Sequence, residues 1–156
     1  MNRVEFEVVD VVRPEVGGAD PDAVETVRQL TITVDGVPLE ALARPVELPF
    51  ASADGQAELA GRYQALQDLR VCWPSRHFLD EPFLSESDDG DAVLMGCICG
   101  DPGCWPLSAD IGLDDHTVTW SRFNNVHRPH WDHSALGPFV FDRAQYEAAL
   151  RRTRQE

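Results

Sequence analysis

The stretch MGCICGDPGCW, residues 95–105, places Cys97, Cys99 and Cys104 within eight positions, among three glycines and a proline. Clustered thiols have three ordinary uses. They hold zinc, which takes four nitrogen or sulfur ligands in a tetrahedron. They interconvert between dithiol and disulfide. Or they stay reduced and pack as small hydrophobes. Alternation along 91–99 predicts a strand with Val93, Met95, Cys97 and Cys99 on one face, and the GDPG that follows predicts a turn. Closing that hairpin would set Cys99 opposite Cys104, with Cα atoms about 4.5–5.5 Å apart, a span a disulfide can bridge. A fourth zinc ligand is available in HRPHWDH, where His127, His130 and His133 recur every third residue, and Cys72 is a further candidate. Pro129 argues against a helix there, so these histidines need not share a face. No cation adjoins the cysteines in sequence to lower a thiol pKa, which weighs against a reactive nucleophile.

Other chemistries find little support. All 13 basic residues are arginine, which excludes a Schiff-base lysine and a phosphate-loop lysine. Ser75 and His77 lie two apart, but no strand-to-helix nucleophile elbow surrounds them. The acidic run 85–91, SESDDGD, lacks the ligand spacing of a calcium loop and reads as a solvated turn.

The elements that must position these groups are legible in part. Val4–Val12 begins with alternation, Val4, Phe6 and Val8 against Glu5 and Glu7, and predicts a half-buried strand followed by a Pro/Gly/Asp-rich loop over 13–22. Leu30, Ile32 and Val34 alternate with threonines up to Asp35-Gly36, a hairpin signal, with a short return strand at Pro38. Leu59, Tyr63 and Leu66 recur at helical spacing and predict a helix over 54–66, despite Gly61. Residues 71–83 read as irregular, and HTVTW (116–120) as the third strand of a meander begun by the cysteine hairpin. At the C-terminus Asp142 is a helix cap, Gln145 completes a capping box, Phe141 staples onto Tyr146, and Tyr146, Ala149 and Leu150 point inward. The expected architecture is α+β: one domain over 1–156, with an antiparallel sheet of N-terminal strands and a C-terminal β-meander, packed by about two helices.

Composition bounds the partners. A net charge of −14 repels phosphate backbones, so nucleic acid is not expected. No apolar run approaches a membrane span, and acidic residues near the start speak against a signal peptide, so a cytoplasmic, non-membrane protein is expected. In that reducing compartment clustered thiols lean toward metal or redox use. Residues 1–121 hold 7 arginines against 23 acidic residues; residues 122–156 hold 6 against 4. Solubility explains such an acidic side, and so does a basic protein partner.

The combination LMGCICGDPGCWPLSADI with VTWSRFNNVHRPHWDHSALGPFVFDRAQYEAAL, about the last 65 residues, resembles a family of short bacterial proteins. That family shares a C-x-C-G-x2-G-C-W-P-L hairpin and an L-G-P-F-x-F-D-R-x-Q-Y-E terminus, and some members carry a loose oxidoreductase label. The general plan of cysteine hairpin, V-x-W strand and terminal helix is also similar to some small immunity-type proteins. The resemblance implies no substrate. The residues themselves favour a small acidic binding protein acting by protein–protein contact, with a cysteine hairpin able to bind zinc. The alternative is a small thiol-redox or metal-dependent enzyme using the cysteines with the His127–His133 loop.

Overall fold

The computed structural model describes residues 1–15, 17–87 and 89–155. The expected α+β class is present, as two antiparallel sheets and two helices. In the first sheet β1 (Val4–Pro14) pairs with β2 (Val24–Val34) from Val4 opposite Val34 to Pro14 opposite Val24, and β3 (Val37–Pro38) returns along β2. Both strands outrun the alternating cores seen in the sequence. Asp35 (φ 53°) and Gly36 (φ 79°) supply the two left-handed residues of a tight hairpin turn, as the Asp-Gly pair predicts. Val16, in the expected loop over 13–22, and Asp88, in the expected turn over 85–91, lie outside the described residues.

The second sheet follows chain order: β4 (Ala92–Met95), β5 (Leu107–Leu113), β6 (Thr117–Asn124) and β7 (Phe139–Asp142). The expected meander is therefore extended by one strand. Isolated bridges join the two sheets: Leu30 with Leu66, Gln64 with Gly96, and Asn2 with Phe141. Pairing thus runs from β1 through β2, the 64–66 segment, Gly96, β4 and across to β7, then back to Asn2. The backbone pairing forms a ring. Inside it, Phe6 meets Phe78, Trp120 and Tyr146 at centroid separations of 5.0, 6.3 and 5.5 Å.

The C-terminal helix α2 (Arg143–Arg151) buries Tyr146, Ala149 and Leu150, the expected stripe. Asp142 caps it by accepting from the Gln145 N–H at 3.0 Å, a contact worth about 1 kcal/mol. The Phe141 and Tyr146 rings stand 5.5 Å apart, as a staple requires. Gln145 departs from the capping-box expectation. Its amide instead clasps Val4, Oε1 accepting from the Val4 N–H and Nε2 donating to the Val4 carbonyl.

The expected helix over 54–66 is absent, and the other helix lies upstream as α1 (Leu39–Ala53). Residues 54–66 form turns, one 3-10 turn at Ala57–Leu59, and an extended piece. Gly61 explains the error. It adopts φ +66°, and a Cβ there would lie 2.6 Å from Arg44 Cβ, so it marks a close crossing over α1. Conversely, Pro45 and Pro49 hide α1 from a propensity reading. They are four apart and both exposed, so the carbonyls they leave without a donor face water. The opposite stripe, Leu39, Ala43, Glu47 and Ala51, is buried and holds the helix down. No helix among the described residues is long and apolar enough to cross a membrane.

Candidate metal centre

Strand β4 ends at Met95, opposite Leu107, and Gly96 leaves the sheet to bridge Gln64. This corrects the expected strand over 91–99: Cys97 and Cys99 are not on a strand face, and Cys99 does not oppose Cys104 in a ladder. The reason is the return of the chain across Gly96, where a Cβ would stand 2.9 Å from Pro102 Cα. The loop then ties itself together. Gly100 N–H donates to the Cys97 carbonyl (3.0 Å), Cys104 N–H to the Asp101 carbonyl (3.1 Å), and Gly103 N–H to Asp101 Oδ1 (2.9 Å). Gly100 takes φ +92°, open to glycine and strained for other residues.

This knuckle, not a hairpin ladder, gathers the thiols. The Sγ atoms of Cys97, Cys99 and Cys104 all lie within 4.8 Å of one another. A tetrahedral zinc site with Zn–S of about 2.3 Å sets its sulfurs about 3.8 Å apart, so a movement on the order of 1 Å closes the group on an ion. Cys97 is half-buried, Cys99 and Cys104 are exposed, and all four cysteines of the chain are free thiols. The Cys99 N–H points at Cys97 Sγ at 3.5 Å, the kind of donor that supports a thiolate ligand. Cys72 is buried elsewhere and does not join the group.

The three histidines diverge. His127 Nε2 bonds the Gly103 carbonyl at 2.7 Å, which keeps it one residue from Cys104. His130 Nε2 bonds Asp54 at 2.8 Å, and His133 Nε2 bonds Glu47 at 2.7 Å inside the protein. Among the described residues, the group able to hold a metal consists of the three cysteines. Ser75 and His77 are likewise no nucleophile–base pair. Ser75 Oγ accepts from the His77 main-chain N–H, while the buried ring bonds the Val93 carbonyl through Nε2 and accepts the Phe83 and Leu84 N–H groups at Nδ1. Burial lowers the pKa of His77 and favours the neutral ring that these contacts need.

A second polar cluster escaped the sequence reading. Buried Glu47 accepts from the Gly61 N–H (2.8 Å), the Tyr63 hydroxyl (2.5 Å) and His133 Nε2 (2.7 Å), and Asn125 donates to the Tyr63 oxygen at 3.3 Å. Burial, reinforced by the Glu47 charge, raises the Tyr63 pKa and keeps the phenol a donor. The available signal was the i+4 series Leu39, Ala43, Glu47, Ala51, with a carboxylate in its third place.

Within the knuckle the thiols are unequal. Hydrogen bonding with the Asp101 backbone, and then with Cys97, holds Cys99 below the ordinary thiol range. The two neighbouring thiols, Cys99 first and then Cys97, push Cys104 up to about 11. Desolvation raises Cys72. Limited alkylation of the metal-free protein at pH 8 should therefore label Cys99 first, Cys104 later and Cys72 last, as read by peptide mass spectrometry. Labelling of Cys104 ahead of Cys99 would contradict this order.

Beside the knuckle lies an open groove of about 290 Å³, to which Cys97 and Cys104 contribute along with Leu59, Arg62, Ile98 and Trp105. No protein family, curated protein or solved structure matches this chain.

Proposed function

We propose that this protein binds a thiophilic metal ion, zinc, through the thiolates of Cys97, Cys99 and Cys104. The observation that carries the reading is the approach of three sulfurs to within 4.8 Å of one another on a short, internally bonded loop. Two close cysteines serve a disulfide; a third at the same distance adds nothing to that bond and completes most of a zinc coordination shell. Exposure of two of the three thiols lets an ion enter without unfolding. Three protein ligands leave one coordination position open, the arrangement of sites that bind or activate a further ligand. His127, tethered through Nε2 to the carbonyl of Gly103 beside Cys104, is the one of the expected histidines hydrogen-bonded to the knuckle. The acidic bulk of residues 1–121 supports a basic protein as the contact partner of the loaded form.

A second reading, thiol–disulfide exchange, is favoured by the contrast between Cys99 and Cys104. Cys99 thiolate would attack a substrate disulfide and release one thiolate. A neighbouring cysteine would then displace the second thiol, leaving a protein disulfide and two reduced substrate thiols. One experiment separates the readings. Untagged protein prepared under reducing conditions should take up one zinc per chain, and a strong chelator should lower its melting temperature. Cys99→Ser should bind at least tenfold more weakly. Protein that takes up no zinc, with a melting temperature that responds to reductant and not to chelator, would reverse the preference.

A further inference from the structure

We propose that the groove beside the knuckle is a ligand site for a small apolar thiol carrying a carboxylate, whose sulfur becomes the fourth ligand of the metal. This rests on the metal reading above and names what occupies the position that the three cysteines leave open. Three features of the groove define the ligand. Two of its residues are the metal-site cysteines Cys97 and Cys104, so a molecule held there lies beside the ion. Its walls are apolar: Leu59 and Trp105 are partly buried, and Ile98 is 48% exposed although it is a large hydrophobe on a loop. Its charge comes from Arg62, which is exposed and takes part in none of the ion pairs among the described residues.

Other arginines also lack an acidic partner among the described residues, but Arg62 is the cation that lines this groove beside its apolar wall. A carboxylate is a group that a guanidinium clamps through paired N–H donors. An apolar body recovers free energy by covering Ile98 and Trp105. The volume, about 290 Å³, suits a molecule of amino-acid size and is small for a folded partner's surface element. The donor follows from the ion. A shell already built of three thiolates is soft, and a fourth thiolate suits it better than a carboxylate oxygen. On binding, the ligand's S–H bond breaks, its proton passes to solvent, and a sulfur–metal bond replaces the bond to water. No electron changes hands.

Arg128 lies over the Trp105 ring, with its guanidinium 5.0 Å from the centroid, and Tyr63 stacks on the same ring at 6.3 Å. Trp105 is therefore held in place before any ligand arrives, which limits the ordering cost of binding.

The test uses the whole chain loaded with cobalt(II), whose absorption reports the number of bound sulfurs, and titrates it with 2-mercapto-3-phenylpropanoate. The expected result is a saturable gain in sulfur-to-cobalt charge transfer, with cobalt remaining on the protein after desalting. Arg62→Gln should load cobalt equally and bind the thiol acid about tenfold more weakly. 3-Phenylpropanoate, which lacks the thiol, should leave the spectrum unchanged at the same concentrations. A three-sulfur cobalt spectrum that the thiol acid does not alter would overturn the ligand proposal and leave the metal site standing. Equal affinity in Arg62→Gln would overturn the carboxylate assignment. Failure of cobalt and zinc to load at all would overturn both the metal reading and the site built on it.

Discussion

Glu47→Ala should destabilise the fold by about 3–5 kcal/mol, measured by urea unfolding. Glu47 is fully buried, and three donors converge on its carboxylate: the Gly61 N–H, the Tyr63 hydroxyl and His133 Nε2. Alanine removes the acceptor and leaves those donors where water does not reach. Each such donor costs about 1–3 kcal/mol when stranded. The consequence spreads along the chain, because the Gly61 contact fixes the crossing over α1, and Tyr63 and His133 belong to segments 14 or more residues away. Replacing the three side chains with apolar groups, Glu47→Leu with Tyr63→Phe and His133→Leu, should cost less than the single alanine, since the Tyr63 and His133 donors go with their acceptor and only the Gly61 N–H and Asn125 lose a partner. A single-variant loss below about 1 kcal/mol would show that water or another acceptor reaches these donors.

Tyr146→Ala should cost about 3–5 kcal/mol, and Tyr146→Phe about 1–2 kcal/mol. The ring is completely buried and meets Phe6, Trp120 and Phe141 at 5.5, 6.0 and 5.5 Å. Its hydroxyl donates to the Phe78 carbonyl at 2.7 Å and accepts from Trp120 Nε1 at 3.0 Å. Phenylalanine keeps the packing and strands both partners; alanine also opens a cavity at the centre of the ring of strands. In a chain of this length about 4 kcal/mol lowers the melting temperature by roughly 10 °C. Two variants of equal stability would mean that the hydroxyl, not the packing, carries the effect. A neutral Tyr146→Ala would mean that α2 does not seat on the sheets.

What could be read in the sequence divides along physical lines. The β2–β3 hairpin and α2 were legible because local signals agree with the tertiary outcome: alternation ending in Asp-Gly for one, a cap and an inward stripe for the other. The α1 helix was illegible because Pro45 and Pro49 contradict it locally, and only the packing of its opposite face settles the matter. The reverse happened over 54–66, where Leu59, Tyr63 and Leu66 mimic a helical stripe but are placed by separate turns. At the candidate site the approach of Cys97, Cys99 and Cys104 was foreseen on the assumption of a long hairpin. The same residues meet on a knuckle, because the fold-back at Gly96 ends the strand early. The histidine spacing had no such support. Three residues per step on a loop fixes no common direction, and the Nε2 atoms of His127, His130 and His133 bond to Gly103, Asp54 and Glu47.

The closed ring of strands imposes an order of events during synthesis. Gln145 clasps Val4 across 141 positions of chain, and Asn2 exchanges hydrogen bonds with Val140. A ribosome extends a chain by about 5–20 residues per second, so the β1–β2 hairpin emerges on the order of ten seconds before its closing partners exist. Throughout that interval Val4 and Phe6 have no β7 or α2 to cover them. The first strand therefore spends its early life as an unfinished rim, with Phe6 uncovered until residues 139–146 arrive to seal it.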